Sequence, residues 1–438
     1  MRSSIWLAAG ALTGSCAAYV PGAAFDRFFT IWLENQDDSK VEDNSDIQNL
    51  TKQGILLSNY YGLTHPSQPN YIASISGDYF GLNHDEFVRI PSNVSTIVDI
   101  FDSAGIEWNG YFEGMPGPGY MGEGSTGQDG SGWDYVRKHN PFVSYDSINT
   151  NGTRLQRLLS LSDFQSAVEK NELPQYAHIS PDMRNDGHNT SLAYAANWTR
   201  SFLTPLLQNE SFMNNTLILL TYDESETYSK PNSIYSVLLG GAVPKDKQGT
   251  TDSTVYSHYS ILSTLQNNWA LPNLGRYDVG ANVFDLVATK TGYKGNINLD
   301  QSILNNSLSY PGFLNSDPAK YKEIPTPNLQ LTGAGGKGVA AAVQDLWKKN
   351  AATDTPYDGS GEFFDGGNGV SDERAPVYRA QGANSNATAT VTSGPSAPLP
   401  TKTGQTKGSG ADKTRLPRLG LGKEILGLWV ALVFAMAF

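Results

Sequence analysis

Short apolar runs and amphipathic runs alternate along residues 25–285. Residues 28–33 are a continuous apolar strand that stops at Glu34-Asn35, and residues 216–222 (TLILLTY) are a second that stops at Asp223-Glu224. Residues 108–112, 176–179 and 235–239 read as further strands. Residues 69–76 read as a helix with a proline near its start and Gly77 just past its end. Helical periodicity returns at 96–103 (closed by Gly105), 161–170, 191–207 and 256–269, and 114–132 is a glycine-rich loop without a period. Strands alternating with helices predict an α/β fold: a doubly wound, mostly parallel sheet with helices on both faces. No internal repeat is visible. Residues 286–381 are poorer in pattern and are expected to wrap the main domain.

The two ends read as processing signals. A basic start, an apolar run over 5–14 and small residues at 16–18 form a secretory leader over 1–18. Residues 425–438 are almost wholly apolar, after a polar spacer at 412–423 and small residues at 408–411, which is the pattern of a GPI-attachment signal over 409–438 with Ser409 or a neighbour as the attachment site. The tail is short for a plain membrane span. Residues 382–413 turn to Ser, Thr, Pro, Gly and Ala and read as an unfolded stalk, leaving 19–381 as the catalytic domain with its core at 25–285. Sequons begin at Asn49, Asn93, Asn151, Asn189, Asn197, Asn209, Asn214, Asn305 and Asn386 and predict a glycosylated surface on an exported chain.

Composition narrows the chemistry. The formal charge of −12 argues against a nucleic-acid-binding surface and against adhesion to anionic lipid, so membrane contact is expected only through the GPI lipid. The single cysteine, Cys16, lies in the leader, which excludes disulfide scaffolds, Cys-ligated zinc and cysteine nucleophiles in the mature chain. The six histidines, His65, His84, His139, His178, His188 and His258, merit reading one by one.

In an open parallel sheet, ligands bind beyond the carboxyl ends of the strands. Three acidic segments follow strands here: Glu34-Asn35, Asp182 in SPDMRNDGH, and Asp223-Glu224. Such residues also serve as turn or cap residues. Glu34, Asn35, Asp223 and Glu224 offer only oxygen, the donor set of a hard cation. Ser67 in THPSQPNY precedes a helix; it is either an N-cap or a nucleophile beside a phosphate held at the helix start. Lys138-His139 is a solvated basic patch or a clamp on phosphate oxygens. His188 and His258 are either structural or catalytic, and His84 and His178 are assigned to structure.

LENQD, THPSQPNY, KHNPF, SPDMRNDGH and TYDES, in this order, resemble the phosphate-repressible acid phosphatases of fungi. Their phosphoesterase family also holds bacterial acid phosphatases and nonhaemolytic phospholipases C, and is similar to the alkaline phosphatase superfamily. The resemblance covers about residues 25–285. It implies hydrolysis of small phosphate esters, with Ser67 as nucleophile and one divalent cation (Mg²⁺, Mn²⁺ or Ca²⁺, with Zn²⁺ an alternative) held by Glu34, Asn35, Ser67, Asp223 and Glu224. It puts Asp182, His188 and His258 where two-zinc relatives hold a second metal and single-metal acid phosphatases contact phosphate and move protons, with Lys138 and His139 nearby. Glu224 departs from the Asp-His of two-zinc relatives, which speaks against a second soft site. Alternatives are a phosphodiesterase or phospholipase C of the same family, a non-enzymatic GPI-anchored cell-wall glycoprotein, and a serine esterase, against which the absence of a G-x-S-x-G elbow counts.

Overall fold

Seven consecutive buried residues, Arg27–Leu33, form the central strand, because a strand covered on both faces carries an unbroken apolar run. The computed structural model describes residues 19–127, 133–297, 309–350 and 355–360. The leader, the stalk, Ser409, Asn305 and Asn386 lie outside the described residues. The strands are β1 (Arg27–Leu33), β2 (Ile55–Tyr61), β3 (Trp108–Phe112), β4 (Gly124–Thr126), β5 (Trp133–Val136), β6 (Leu158–Ser160), β7 (Tyr176–Ser180), β8 (Thr216–Tyr222), β9 (Ser233–Leu239) and β10 (Thr250–Ser257).

Eight of them form one sheet in the order β10-β2-β9-β8-β1-β7-β3-β6, and β4 and β5 make a separate hairpin. β1 pairs in parallel with β7 and β8, β3 with β6 and β7, and β10 with β2. β9 alone in this sheet runs antiparallel, against both β2 and β8. The mostly parallel α/β expectation holds, with one reversed strand inside the sheet. The polar runs of β2 and β10 were not anticipated as strands. Residues 256 and 257, assigned to a helix by their pattern, instead end β10, and the helix is Tyr259–Asn268.

Successive side chains of β1 reach opposite faces. Phe29 meets Phe164 and Phe212, from the helices Leu161–Lys170 and Glu210–Met213. Phe28 and Trp32 face the other side, where Trp32 packs on Tyr71 of the helix Ser67–Ser76. Helices therefore cover both faces. Later described residues dock on this body: the hydroxyls of Tyr310 and Tyr357 both donate to the buried Asp78, and Trp347 Nε1 donates to the Asn93 carbonyl at 2.7 Å. Among the described residues, no helix is long and apolar enough to cross a membrane.

Trp32 is wholly buried, with its ring centroid 4.7 Å from that of His258, 5.4 Å from that of His178 and 5.0 Å from that of Tyr71. Trp32→Ala is expected to cost about 3–5 kcal/mol, and Trp32→Phe markedly less. Urea denaturation of the two variants checks this, and a loss below about 1 kcal/mol for the alanine variant would mean the stack bears little of the core's stability.

Candidate active site

The parallel strands all end at one edge, and the reactive side chains gather there. The register that sets Leu33 opposite Tyr222 brings Glu34 and Asp223 side by side, with Asp223 N donating to the Leu33 carbonyl at 3.1 Å. Asn35 turns the chain at φ 22°, a conformation asparagine tolerates. That turn sends its backbone N–H to Asp223 Oδ1 at 3.2 Å.

Ser67 is the first residue of its helix, and Pro66 occupies the N-cap. The Ser67 hydroxyl caps no helix amide. It donates to Glu34 Oε2 at 3.1 Å and Glu224 Oε1 at 3.4 Å, so the N-cap reading of this serine is set aside. The preceding loop is locked by Asn70, whose Oδ1 accepts from Leu63 N at 2.7 Å and whose Nδ2 donates to the Thr64 carbonyl at 2.8 Å. Asp85 accepts from Gln68 N at 3.0 Å and pairs with Lys138 Nζ at 3.0 Å. Lys138 Nζ also stands 3.5 Å from Ser67 Oγ.

Glu34 is the hub. Its Oε1 accepts from the Tyr71 hydroxyl at 2.7 Å and lies 3.0 Å from His139 Nε2. The other ring nitrogen of His139 is 3.4 Å from Asp186 Oδ2. Burial alone would raise the Glu34 carboxyl, but the charges of His139, Lys138 and His188, with the hydrogen bond from His139, hold it below the ordinary range. Burial would lower His139; Glu34 and Asp186 outweigh it and lift the imidazole to about 9. Burial raises Asp186 to about 6 even with His139 beside it. Lys138 is raised as well, its burial outweighed by Glu34, Asp85 and Asp223.

Asp223 and Glu224 go the other way. Burial pushes both well above the carboxylate range, and the negative charge of Glu34 adds to each. Asp223 Oδ2 and Glu224 Oε2 are buried without a hydrogen-bond partner, although Glu224 Oε2 lies in ion-pair contact with His65 Nδ1. The Asn35 carboxamide oxygen faces only acceptors; hydrogen bonds to Glu34 Oε2 at 2.9 Å and Asp223 Oδ1 at 3.3 Å form only if the amide is turned. Oxygens crowded against oxygens suit a cation. A second group that could bind a metal ion consists of Glu34, His139 and Asp186, whose ligand atoms lie within 4.8 Å of one another.

The other sites anticipated from the sequence fall as follows. Asp182 does not join the converging carboxylates: its Oδ1 accepts from Arg184 N at 3.0 Å and Asn185 N at 2.8 Å, which is a turn cap. Asp186 enters the site instead, because the loop turns back through Gly187 at φ 100° and Glu34 N donates to the Asp186 carbonyl at 2.9 Å. His258 faces away; it is wholly buried, and its Nε2 lies 2.7 Å from the Asp223 carbonyl, so it positions that residue. His188 is exposed at the mouth, with its ring 6.4 Å from that of His139. His178 lies in the core on Ser180 Oγ at 3.1 Å. Asp85, Tyr71, His65 and Asp186 were missed. The Asp-Gly pair at 186–187 was the available signal for the last.

This constellation can be set against known proteins. The Phosphoesterase family profile matches residues 32–272. An acid phosphatase of Aspergillus fumigatus is 44% identical over 352 residues, 78% of each chain. A phosphate-repressible acid phosphatase of Penicillium chrysogenum is 43% identical over 355 residues, 80% of this chain and 85% of that one. Among solved structures, a Vibrio parahaemolyticus protein in the alkaline phosphatase superfamily aligns with a TM-score of 0.39 and 11% identity, over 56% of this chain and 67% of that one. The chain belongs to the Phosphoesterase family and is an enzyme of its acid phosphatase group.

Proposed function

We propose that the chain is an exported acid phosphatase that cleaves phosphate monoesters through a phosphoserine at Ser67, assisted by one divalent cation. The observation that carries this is the Ser67 hydroxyl, which sits at a helix start yet is turned onto Glu34 and Glu224 instead of the helix amides. Glu34, Asn35, Asp223 and Glu224 would hold the cation beside Ser67; the unpartnered oxygens of Asp223 and Glu224 support that fit. A bound cation would supply neutralisation of phosphate charge and a more acidic serine hydroxyl.

The chain's own groups account for the remaining steps. Ser67 Oγ attacks phosphorus, and its proton passes to Glu224, the less acidic of the two carboxylates it faces. Lys138 Nζ, beside Ser67 Oγ and held charged, draws the phosphate oxygens into line. The leaving oxygen takes a proton from His188, the imidazole at the open mouth. Water then attacks phosphorus and gives a proton to His188, while the bond from phosphorus to Ser67 Oγ breaks and Oγ recovers its proton from Glu224. His139 stays protonated between Glu34 and Asp186 and keeps Glu34 ionised and in place.

We place the enzyme at the cell surface, anchored through a GPI lipid at Ser409. The exposure of the sequon residues Asn49, Asn151, Asn189, Asn197 and Asn214 supports a glycosylated exterior. A phosphatidylinositol-specific phospholipase should release activity from membranes. Activity that stays membrane-bound, in a protein that still contains residues 425–438, overturns the anchor.

Ser67→Ala should lower kcat by several powers of ten with the fold intact, since nucleophile and cation act as a unit. Retention of more than about a tenth of wild-type kcat would leave Ser67 without a covalent role. Asp223→Asn should weaken binding of a divalent cation at least about tenfold. In chelator-treated protein near neutral pH the same change should raise Tm, because burial and Glu34 disfavour the ionised carboxylate that the unfolded chain carries and an amide has no such cost. Elemental analysis showing two ions per chain would assign Glu34, His139 and Asp186 as ligands of the second and end the one-cation reading.

A further inference from the structure

A space of about 400 Å³ lies away from the reactive edge, beside Thr250–Thr254 and Asp285, with no unpartnered buried group in its lining. A smaller pocket of about 210 Å³ opens beside Gln68 and Lys138, the latter with its Nζ 3.5 Å from Ser67 Oγ. One end is polar and shared with the site: Gln68, Asp85 and Lys138. The remainder carries Phe87, Trp133, Val136 and Met183, with Glu123 and Arg137 also in its lining.

Two of these side chains are unusual for a protein surface. Phe87 is 39% exposed and Trp133 is 47% exposed, and both border this pocket. Exposed apolar side chains scattered singly need no explanation, but two large rings on one pocket beside a nucleophile do. Both rings are held. The Arg137 guanidinium sits 3.9 Å from the Phe87 ring centroid, and Arg137 Nη1 donates to the Met121 carbonyl at 3.1 Å. The Trp133 ring packs against the hairpin partner strand at Gly124, where a Cβ would come within 2.6 Å of it. Rigid rings lose little entropy when a flat ligand settles on them.

The pocket's size limits what enters. About 210 Å³ falls short of the roughly 300–1,000 Å³ that encloses a drug-sized ligand. A space of that size accommodates one ring. Lys138 lines the pocket and reaches Ser67 Oγ at 3.5 Å, so a phosphate held between the two would direct its leaving group toward the aromatic part.

Resting on the reading of Ser67 as nucleophile, we propose that this pocket is the leaving-group subsite and that it selects aryl phosphates, the esters of phenol-sized alcohols, over aliphatic ones. Edge or face contact with Trp133 and Phe87 favours a flat ring; an aliphatic alcohol gains only its apolar area.

The test compares kcat/KM for phenyl phosphate and for glycerol 2-phosphate in the full-length enzyme and in Trp133→Ala, Phe87→Ala and Trp133→Phe. Taking the ratio of the two substrates within each protein, and comparing it across proteins, cancels the better leaving ability of phenol. The aryl-to-alkyl ratio should fall about three- to tenfold in each alanine variant and stay near wild type in Trp133→Phe. Phenylphosphonate should likewise inhibit the wild-type enzyme more tightly than methylphosphonate and lose that advantage in Trp133→Ala. An unchanged ratio in both alanine variants overturns the subsite while leaving the Ser67 reading intact. Full hydrolysis of both esters by Ser67→Ala overturns the reading on which the subsite rests. Both rings are partly exposed, so their truncation spares the core, and circular dichroism of each variant checks this.

Discussion

The site depends on buried negative charge. Glu34, Asp186, Asp223 and Glu224 sit within a few side chains of one another at the ends of β1 and β8 and in the loop after β7, all but shut off from water. Carboxylates so placed are costly unless paired. Lys138 and His139 offset only part of that charge, and they are spent on Glu34, Asp85 and Asp186. The unbalanced remainder falls on Asp223 and Glu224, whose acidity is suppressed first by burial and then by the charge of Glu34. A serine hydroxyl is the uncharged group set into this field, and each of its neighbours is either a charge or a donor to one.

The histidines show how surroundings assign state. His178 and His258 are buried among aromatic rings, and burial drives them down to about 3 and about 4, so they remain neutral spacers. His139 is as deeply buried, yet two carboxylates face its ring and it holds its proton. The same side chain thus serves as wedge or cation according to what lies opposite. His258, pressed on Trp32 and bonded to the Asp223 carbonyl, ties the aromatic core to the reactive edge.

Much of this was legible in the chain. Strands β1 and β8 are buried on both faces and so announce themselves as unbroken apolar runs, and the pairs Glu34-Asn35 and Asp223-Glu224 could be located from where those runs stop. β10 was illegible because its first half is a polar, exposed edge, and β2 because polar Ser58 and Asn59 interrupt it. The reversal of β9 leaves no mark in hydropathy, which records burial and not direction. Asp182 and Asp186 are equally acidic and four residues apart; which one enters the site is decided by the turn at Gly187, a three-dimensional fact. Asp85 was passed over because its role, restraining Lys138 and Gln68, depends on a contact across 53 positions of the chain.

The reversed strand also braces the site. Because β9 runs against β8, the chain crosses the reactive edge between Tyr222 and Ser233 in one short excursion and returns beside its own strand. That excursion carries Glu224 and then Tyr228, whose ring stacks on His65 at 3.8 Å, and it is closed by Asn232, which accepts from Ser225 N at 2.7 Å and donates to the Thr64 carbonyl at 3.1 Å. One wall of the site is therefore a hairpin loop stapled at its base by Asn232 and tied across to the segment after β1, where Asp37 accepts from the Thr227 N–H at 2.9 Å and from its hydroxyl at 2.7 Å. The loop that carries Glu224 is thus cross-braced to the one that carries Glu34, and the two acidic strand ends are held as a single frame.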